Sequence, residues 1–334
     1  MSNPTPRLAN GTELALRGYW NGSTLTSGLN FRSWTKGSPY EPPAPVNTQV
    51  YGVSATDTSG GKSFLTGYTS QVSTLKAKCC YYYGTGENPT WSPVAAVPSD
   101  HDIWFQTKAQ TKAAYVALIN SMPVSRTGKV YLHYWNEPEN DIKNGGYTLA
   151  HWQQRTDWLF EAIDEAIAAT PSKSYIKKSI EIQYYTLQQY QKGLLGANNE
   201  RNLPGYIRPG LQQLGWSNYA EKKEKPDANG VVHEVFGISP VKMPQIIAAY
   251  MATLPGVGWS SITGWALGNA YLNDPVSILN RVNWFLESSE NLRAAGSKHY
   301  MWFDIPWSNG DYRISTDPAL YAAWQSRLTG AGQW

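Results

Sequence analysis

Apolar positions along this chain recur with two different periods. From residue 47 onward, short runs of β-branched and aromatic residues read as strands, at 49–54, 76–83, 102–106, 129–136, 179–185, 231–236, 261–267 and 300–305. Between them the spacing becomes helical. Leu149, Trp152, Leu159, Ile163 and Ile167 share one helix face, and 111–122, 243–254, 276–295 and 319–328 read as further helices. Strands alternating with helices imply parallel β-α units. Eight strand candidates suit an α/β fold of the (β/α)8 TIM-barrel type, spanning residues 47–334. Residues 1–46 break the pattern. They are rich in Gly, Ser, Thr, Asn and Pro and end in Ser38-Pro-Tyr-Glu-Pro-Pro-Ala-Pro-Val46, a stiff connector. Two β-like pieces at 14–20 and 29–34 precede it. The expectation is an N-terminal arm that caps the barrel floor, forms a small hairpin or docks onto another protein.

Composition narrows the partners. A net charge of +3, with dispersed Lys and Arg, argues against nucleic acid. The run Glu221-Lys-Lys-Glu-Lys225 alternates in sign and reads as a solvated segment. The chain carries 15 Trp and 22 Tyr against 7 Phe, and rings with a polar tip suit wet surfaces and the C–H faces of sugars, although most must fill a core this large. The two cysteines, Cys79 and Cys80, are adjacent, so no disulfide framework is expected and both read as buried strand residues. The N-terminus lacks the apolar stretch of a signal peptide, and no apolar run reaches membrane-spanning length. The expectation is a soluble chain, cytoplasmic or virion-associated, with no membrane partner.

The chemistry concentrates in Lys129-Val-Tyr-Leu-His-Tyr-Trp-Asn-Glu-Pro-Glu139. A β-forming run ends in a carboxylate, Glu137, and Pro138 cannot continue the ladder. An acid at the carboxyl end of a strand that feeds a helix is where an α/β barrel holds its reactive groups. Trp135-Asn136-Glu137-Pro138 resembles the Asn-Glu-Pro motif of the (β/α)8 retaining glycoside hydrolases of clan A. The resemblance implies that the motif closes the fourth strand, that Glu137 is the general acid/base and that Asn136 holds the sugar 2-hydroxyl. The implied activity is hydrolysis of a glycosidic bond in a poly- or oligosaccharide, cell-wall glycans included.

Such chemistry needs a second carboxyl group. Glu234, in Val231-Val-His-Glu-Val-Phe-Gly237, is the first choice: an apolar strand ending in an acid, an aromatic residue and Gly resembles the clan's nucleophile strand, with His233 in place of its usual Thr. The order of strands conflicts with this, because Glu234 ends the sixth candidate and the resemblance implies the seventh. The seventh, Ser261-Ile-Thr-Gly-Trp-Ala-Leu-Gly268, contains no acid. If the count is off by one, Trp265 falls on the eighth strand, where the clan commonly keeps a Trp. Asp304, in His299-Tyr-Met-Trp-Phe-Asp-Ile-Pro-Trp307, is the reserve, and as a base it would imply an inverting enzyme. Glu181 ranks below both, its plain reading being a barrel-interior acid paired with a Lys or Arg. Trp135, Trp265, Trp302 and Trp307 are candidate sugar platforms, with His233 and Asn136 as further contacts.

Other chemistries find little support. No His-Glu-x-x-His or Cys-x-x-Cys spacing is present, so no metal or other cofactor is expected. Thr58-Ser-Gly-Gly-Lys-Ser63 resembles the end of a phosphate loop, but Thr56 stands where the first Gly is required. The rival reading is a non-catalytic carbohydrate-binding or phage virion protein on a barrel scaffold, motivated by the blank seventh strand.

Overall fold

The computed structural model describes residues 49–54, 68, 72–84, 86–219, 222–236, 238–265, 274–304, 306–307, 310–311 and 313–329. The expected arm and connector over 1–46 lie outside them. The strands are β1 (Val50–Ser54), β2 (Cys79–Tyr83), β3 (Asp102–Thr107), β4 (Val130–Tyr134), β5 (Ile176–Gln183), β6 (Gln213–Tyr219), β7 (Lys222–Pro226), β8 (Val232–Phe236), β9 (Gly258–Trp265), β10 (His299–Phe303), β11 (Pro306–Trp307) and β12 (Gly310–Asp311). Eight of them, β1 to β6 with β9 and β10, pair in parallel and close into a barrel in which β10 returns to β1. The protein is a (β/α)8 TIM barrel, with β4 as the fourth barrel strand.

One strand assignment needs correction. Residues 231–236, expected as the sixth barrel strand, form one arm of an antiparallel hairpin, β7–β8, that follows the true sixth strand. That strand, Gln213–Tyr219, looks like loop in the sequence because Gln213, Gly215 and Ser217 interrupt its apolar positions. In the barrel these interruptions are one face of a strand. Gly215 sits inside, where an added Cβ would lie 2.3 Å from Ile262 Cδ1 and 2.9 Å from Trp104, while Leu214 and Trp216 join the core under the helices. The long connection expected over 186–230 therefore takes in most of helix Tyr184–Gln191, the short helix Leu203–Tyr206, β6 and β7.

The strand period separates two apolar clusters. Cys79, Tyr81, Trp104, Tyr131, Ile262 and Met301 fill the barrel interior, with Trp104 stacked on Tyr131 at 4.8 Å. Val53, Cys80, Ile103, Phe105, Leu132, Ile182 and Trp302 belong to the larger core beneath the helices. The adjacent cysteines thus fall in different clusters, both fully buried and unoxidised. Helix Leu149–Ala169 shows how this core positions the site. Thr148 caps it by accepting the His151 N–H. It buries Trp152, Leu159, Phe160 and Ile163, and the Trp152 indole donates to the Tyr134 carbonyl at 3.2 Å, fixing the helix under the last residue of β4. Among the described residues no helix is long and apolar enough to cross a membrane.

Candidate active site

Past Tyr134 the chain makes two unusual turns. Trp135 and Glu137 both adopt left-handed backbone, with φ of 56° and 47°. For side chains other than Gly or Asn this costs about 1–2 kcal/mol per residue. The surroundings hold the conformation in place. Trp135 N–H continues the ladder to Thr107 O at 3.0 Å, and its indole N–H donates to Asp141 at 2.5 Å. Lys108 Nζ lies 3.8 Å from the centre of the Trp135 ring. Pro138 then starts a short helix, Pro138–Lys143, with Glu137 at its N-cap position.

The strain leaves the Glu137 carboxyl over the barrel interior, although part of the residue stays exposed. Its Oε2 accepts from Gln183 Nε2 at 3.0 Å and from Asn140 Nδ2 at 3.4 Å. Its Oε1 is buried with no hydrogen-bond partner in the protein. Burial first, and the charge of Glu181 second, hold the Glu137 carboxyl well above the ordinary carboxylate range. That push favours the protonated form, the one that can donate.

Glu181 is on β5 and is fully buried. It accepts from Tyr81 Oη and Ser217 Oγ, and His133 Nε2 lies 3.3 Å away. Ser217 also neighbours Glu137. It has one proton, and directs it to Glu181. The plain expectation for Glu181, an interior acid paired with Lys or Arg, is corrected: its partners are two hydroxyls and a histidine.

A third acid, Glu139, is wholly buried beside this pair. Its Oε1 accepts the Gln183 N–H at 2.8 Å, so Gln183 ties Glu139 by its backbone and Glu137 by its side chain. Burial pushes the Glu139 carboxyl up to about 7, against the pull of backbone N–H groups, Thr186 and the Arg201 charge. Arg201 is buried too, donates to Thr186 Oγ1 at 3.0 Å and stacks on Tyr185 at 4.7 Å. A cavity of about 480 Å³ adjoins the group, lined in part by Asn140, Gln183 and Ser217, the neighbours of Glu137. Among the described residues no group of three or more His, Cys, Asp or Glu is arranged to hold a metal ion.

The remaining sequence candidates are dispersed. Glu234 is on β8, with its backbone opposite Glu224 in the hairpin. His233 pairs with Asp274 at 2.8 Å and Asp227 at 3.3 Å, and the hydrogen bonds that these two carboxylates accept raise its pKa. Asp304 follows β10, is buried, and accepts the Ile314 N–H that opens the turn Ile314–Thr316. Trp302 is fully buried and packs on Phe285 with ring centroids 5.6 Å apart, which leaves no surface for a sugar. Trp265 ends β9, the seventh barrel strand and not the eighth, paired with Tyr219. Trp307 is in the two-residue strand β11, opposite Gly310. Asn136 precedes Glu137 and is partly exposed. Sequence reasoning missed Glu139, Gln183, Ser217 and Tyr81. Glu139 was visible two positions after Glu137; Ser217 was hidden with its strand.

No protein-family model matches the chain, and no curated protein sequence does. Among solved structures the chain is similar to a family 1 β-glucosidase from Thermotoga maritima, with a TM-score of 0.53 and 10% identity over 86% of this chain and 98% of that chain. The β-glucosidase of the same organism in complex with azafagomine superposes with a TM-score of 0.52, again at 10% identity over 86% and 98% of the two chains. Its complex with deoxynojirimycin gives a TM-score of 0.53 at the same identity and coverage. At this identity the likeness is one of fold.

Proposed function

We propose that the protein is a glycoside hydrolase in which Glu137 protonates the leaving oxygen. The observation carrying this reading is the Glu137 carboxyl itself: placed just past the fourth barrel strand, held by strained backbone, and pushed well above the ordinary carboxylate range by burial and the neighbouring Glu181. A carboxyl whose surroundings favour its protonated form is what acid-assisted glycoside cleavage requires of its proton donor. Glu181 acts as a positioning residue, because its nearness adds to the upward push on the Glu137 carboxyl. The fold shared with the β-glucosidases supports a sugar substrate. In this reading Glu234 is the nucleophile of a double displacement, Asn136 contacts the 2-hydroxyl, and Asp304 is the alternative second acid.

Turnover of activated aryl glycosides tests it. Glu137→Gln is expected to abolish turnover and keep the fold; unchanged turnover overturns the assignment. Azide added to Glu137→Ala should yield a glycosyl azide of retained configuration, and added to Glu234→Ala an inverted one. Failure of the second rescue alone removes Glu234 and leaves Glu137 standing.

A second reading, a carbohydrate-binding protein without hydrolysis, is favoured by one observation. The seventh barrel strand, Gly258–Trp265, carries no acid. Glycan binding that is equal in the native protein and Glu137→Gln, with no product from either, would select it.

A further inference from the structure

The cavity beside Glu137 has a charge character that hydrolysis alone does not explain. Its wall brings together three cations, Lys143, Lys192 and Arg201. Lys143 follows Glu137 by six positions on the helix Pro138–Lys143, and Lys192 ends the helix Tyr184–Gln191. Among the described residues neither lysine is ion-paired. Arg201 is different in kind: it is buried, its side chain fixed between Thr186 and the Tyr185 ring. Thr186 links it to Glu139, whose carboxyl burial pushes up to about 7, and among the described residues Arg201 has no ion pair with that acid. The rest of the wall is mostly amide, with Gln188 and Gln189 among others, joined by Ser217, Ile238 and Tyr185, the last 44% exposed. Amides suit sugar hydroxyls, an exposed ring suits a sugar face, and a trio of cations suits neither.

We propose that this cavity is the subsite for an acidic sugar residue, an anionic glycan unit seated with its negative group toward Lys143, Lys192 and Arg201. The proposal rests on the reading of Glu137 as the proton donor, since the cavity adjoins that residue through Asn140, Gln183 and Ser217. The anion is a carboxylate, as in a hexuronate, or a sulfate or phosphate ester; the cation set recognises the shared charge. Fixed charges around a concave wall also concentrate an anionic polymer near the mouth.

The test is an array of hexuronate-containing, sulfated, phosphorylated and neutral oligosaccharides, probed with full-length Glu137→Gln so that binding is read without turnover. Acidic glycans should bind at least about tenfold more tightly than their neutral counterparts, and added salt should weaken them. Adding Lys143→Gln and Lys192→Gln, both exposed, should remove that preference. Binding that is lost when hexuronates are methyl-esterified assigns the anion as carboxylate; binding confined to the sulfated or phosphorylated members assigns an ester. Binding confined to neutral glycans, or unchanged by the double substitution, overturns the proposal. The two readings separate in the native protein. Turnover of a neutral glycan that Glu137→Gln abolishes keeps the hydrolase and discards the acidic subsite. Acidic-glycan binding with no turnover keeps the subsite and discards the hydrolase, and no binding to any member discards the subsite.

Discussion

The two ends of the barrel hold similar side chains and treat them in opposite ways. At the amino-terminal end Asp102, the first residue of β3, meets His299, the first of β10. His299 Nε2 donates to Asp102 at 2.8 Å, and its Nδ1 accepts from Ser260 Oγ at 2.7 Å. Ser260 in turn accepts from Gln213 Nε2 at 2.8 Å, and Asp102 accepts the Lys129 N–H and faces Lys298 Nζ at 3.3 Å. Burial alone would push Asp102 up, but His299, Lys298 and the Lys129 N–H outweigh it and hold the carboxyl far below its usual range. Burial lowers the His299 pKa, against the upward pull of the Asp102 carboxylate it donates to. At the other end Glu137 Oε1, Glu139 Oε2 and His133 Nδ1 are buried without protein partners, and both acids are pushed up. A satisfied carboxylate stabilises a fold; an under-satisfied one is held there by the rest of the fold and is free to react.

The sharpest break between the ends is a pair of substitutions. Glu137→Gln should lower kcat by about 10²–10⁴-fold, the typical worth of a positioned general acid, while stability stays level or rises because a buried acid is replaced by a neutral isostere. Asp102→Ala should do the reverse: kcat stays, and urea unfolding loses about 1–3 kcal/mol for each of the two donors, His299 Nε2 and the Lys129 N–H, that lose their acceptor. Equal destabilisation by the two variants would erase the distinction.

The same contrast explains what the sequence disclosed. The barrel was legible because its outer face obeys a simple rule: Val53, Ile103, Leu132 and Ile182 each occupy an alternating apolar position. Glu137 was legible because Pro138 marks the strand's end. The eight-strand count came out right with one wrong member, because β8 is apolar enough to imitate a barrel strand and β6 is too polar to be recognised as one. That polarity is the site itself. Ser217 interrupts the pattern because it faces Glu181, so the residues that build the mouth blur the periodicity that would locate them. The floor network was illegible for a different reason. Asp102, Ser260 and His299 lie far apart in sequence, and only closure of the barrel brings them together.

Opposite shifts also give opposite pH dependence. An acid with a raised folded pKa keeps its stability below its unfolded value and loses it as pH rises through the folded value. For Glu139 that window runs from 4.5 to about 7, a loss of about 3 kcal/mol. Glu139→Gln should flatten the fall in urea midpoint between pH 5 and 8. Asp102 has a lowered pKa, so its contribution is present above the unfolded value of 3.8 and disappears as pH drops below it. Asp102→Asn should flatten that acid limb and leave the neutral one unchanged. A single variant that flattens both limbs would mean that the two networks titrate together.

The smallest effect separates geometry from function most cleanly. Asp102, His299 and Ser260 have the hydrogen-bond order of a nucleophilic triad: acid to imidazole, imidazole to hydroxyl. Yet Ser260 and His299 have no exposed surface. The hydroxyl also accepts from Gln213, and the group belongs to the amino-terminal end, whereas barrel chemistry belongs to the carboxyl-terminal end. A nucleophile must meet a substrate, and here the interior layer of Trp104, Tyr131 and Met301 fills the barrel beside it. Ser260→Ala is therefore expected to strand Gln213 Nε2 and leave His299 Nδ1 only the long contact from the Trp104 indole at 3.5 Å, at a cost of about 1–3 kcal/mol in urea unfolding, with turnover unchanged. Loss of turnover in a variant that stays folded would move the chemistry to the floor of the barrel and overturn the assignment of the mouth.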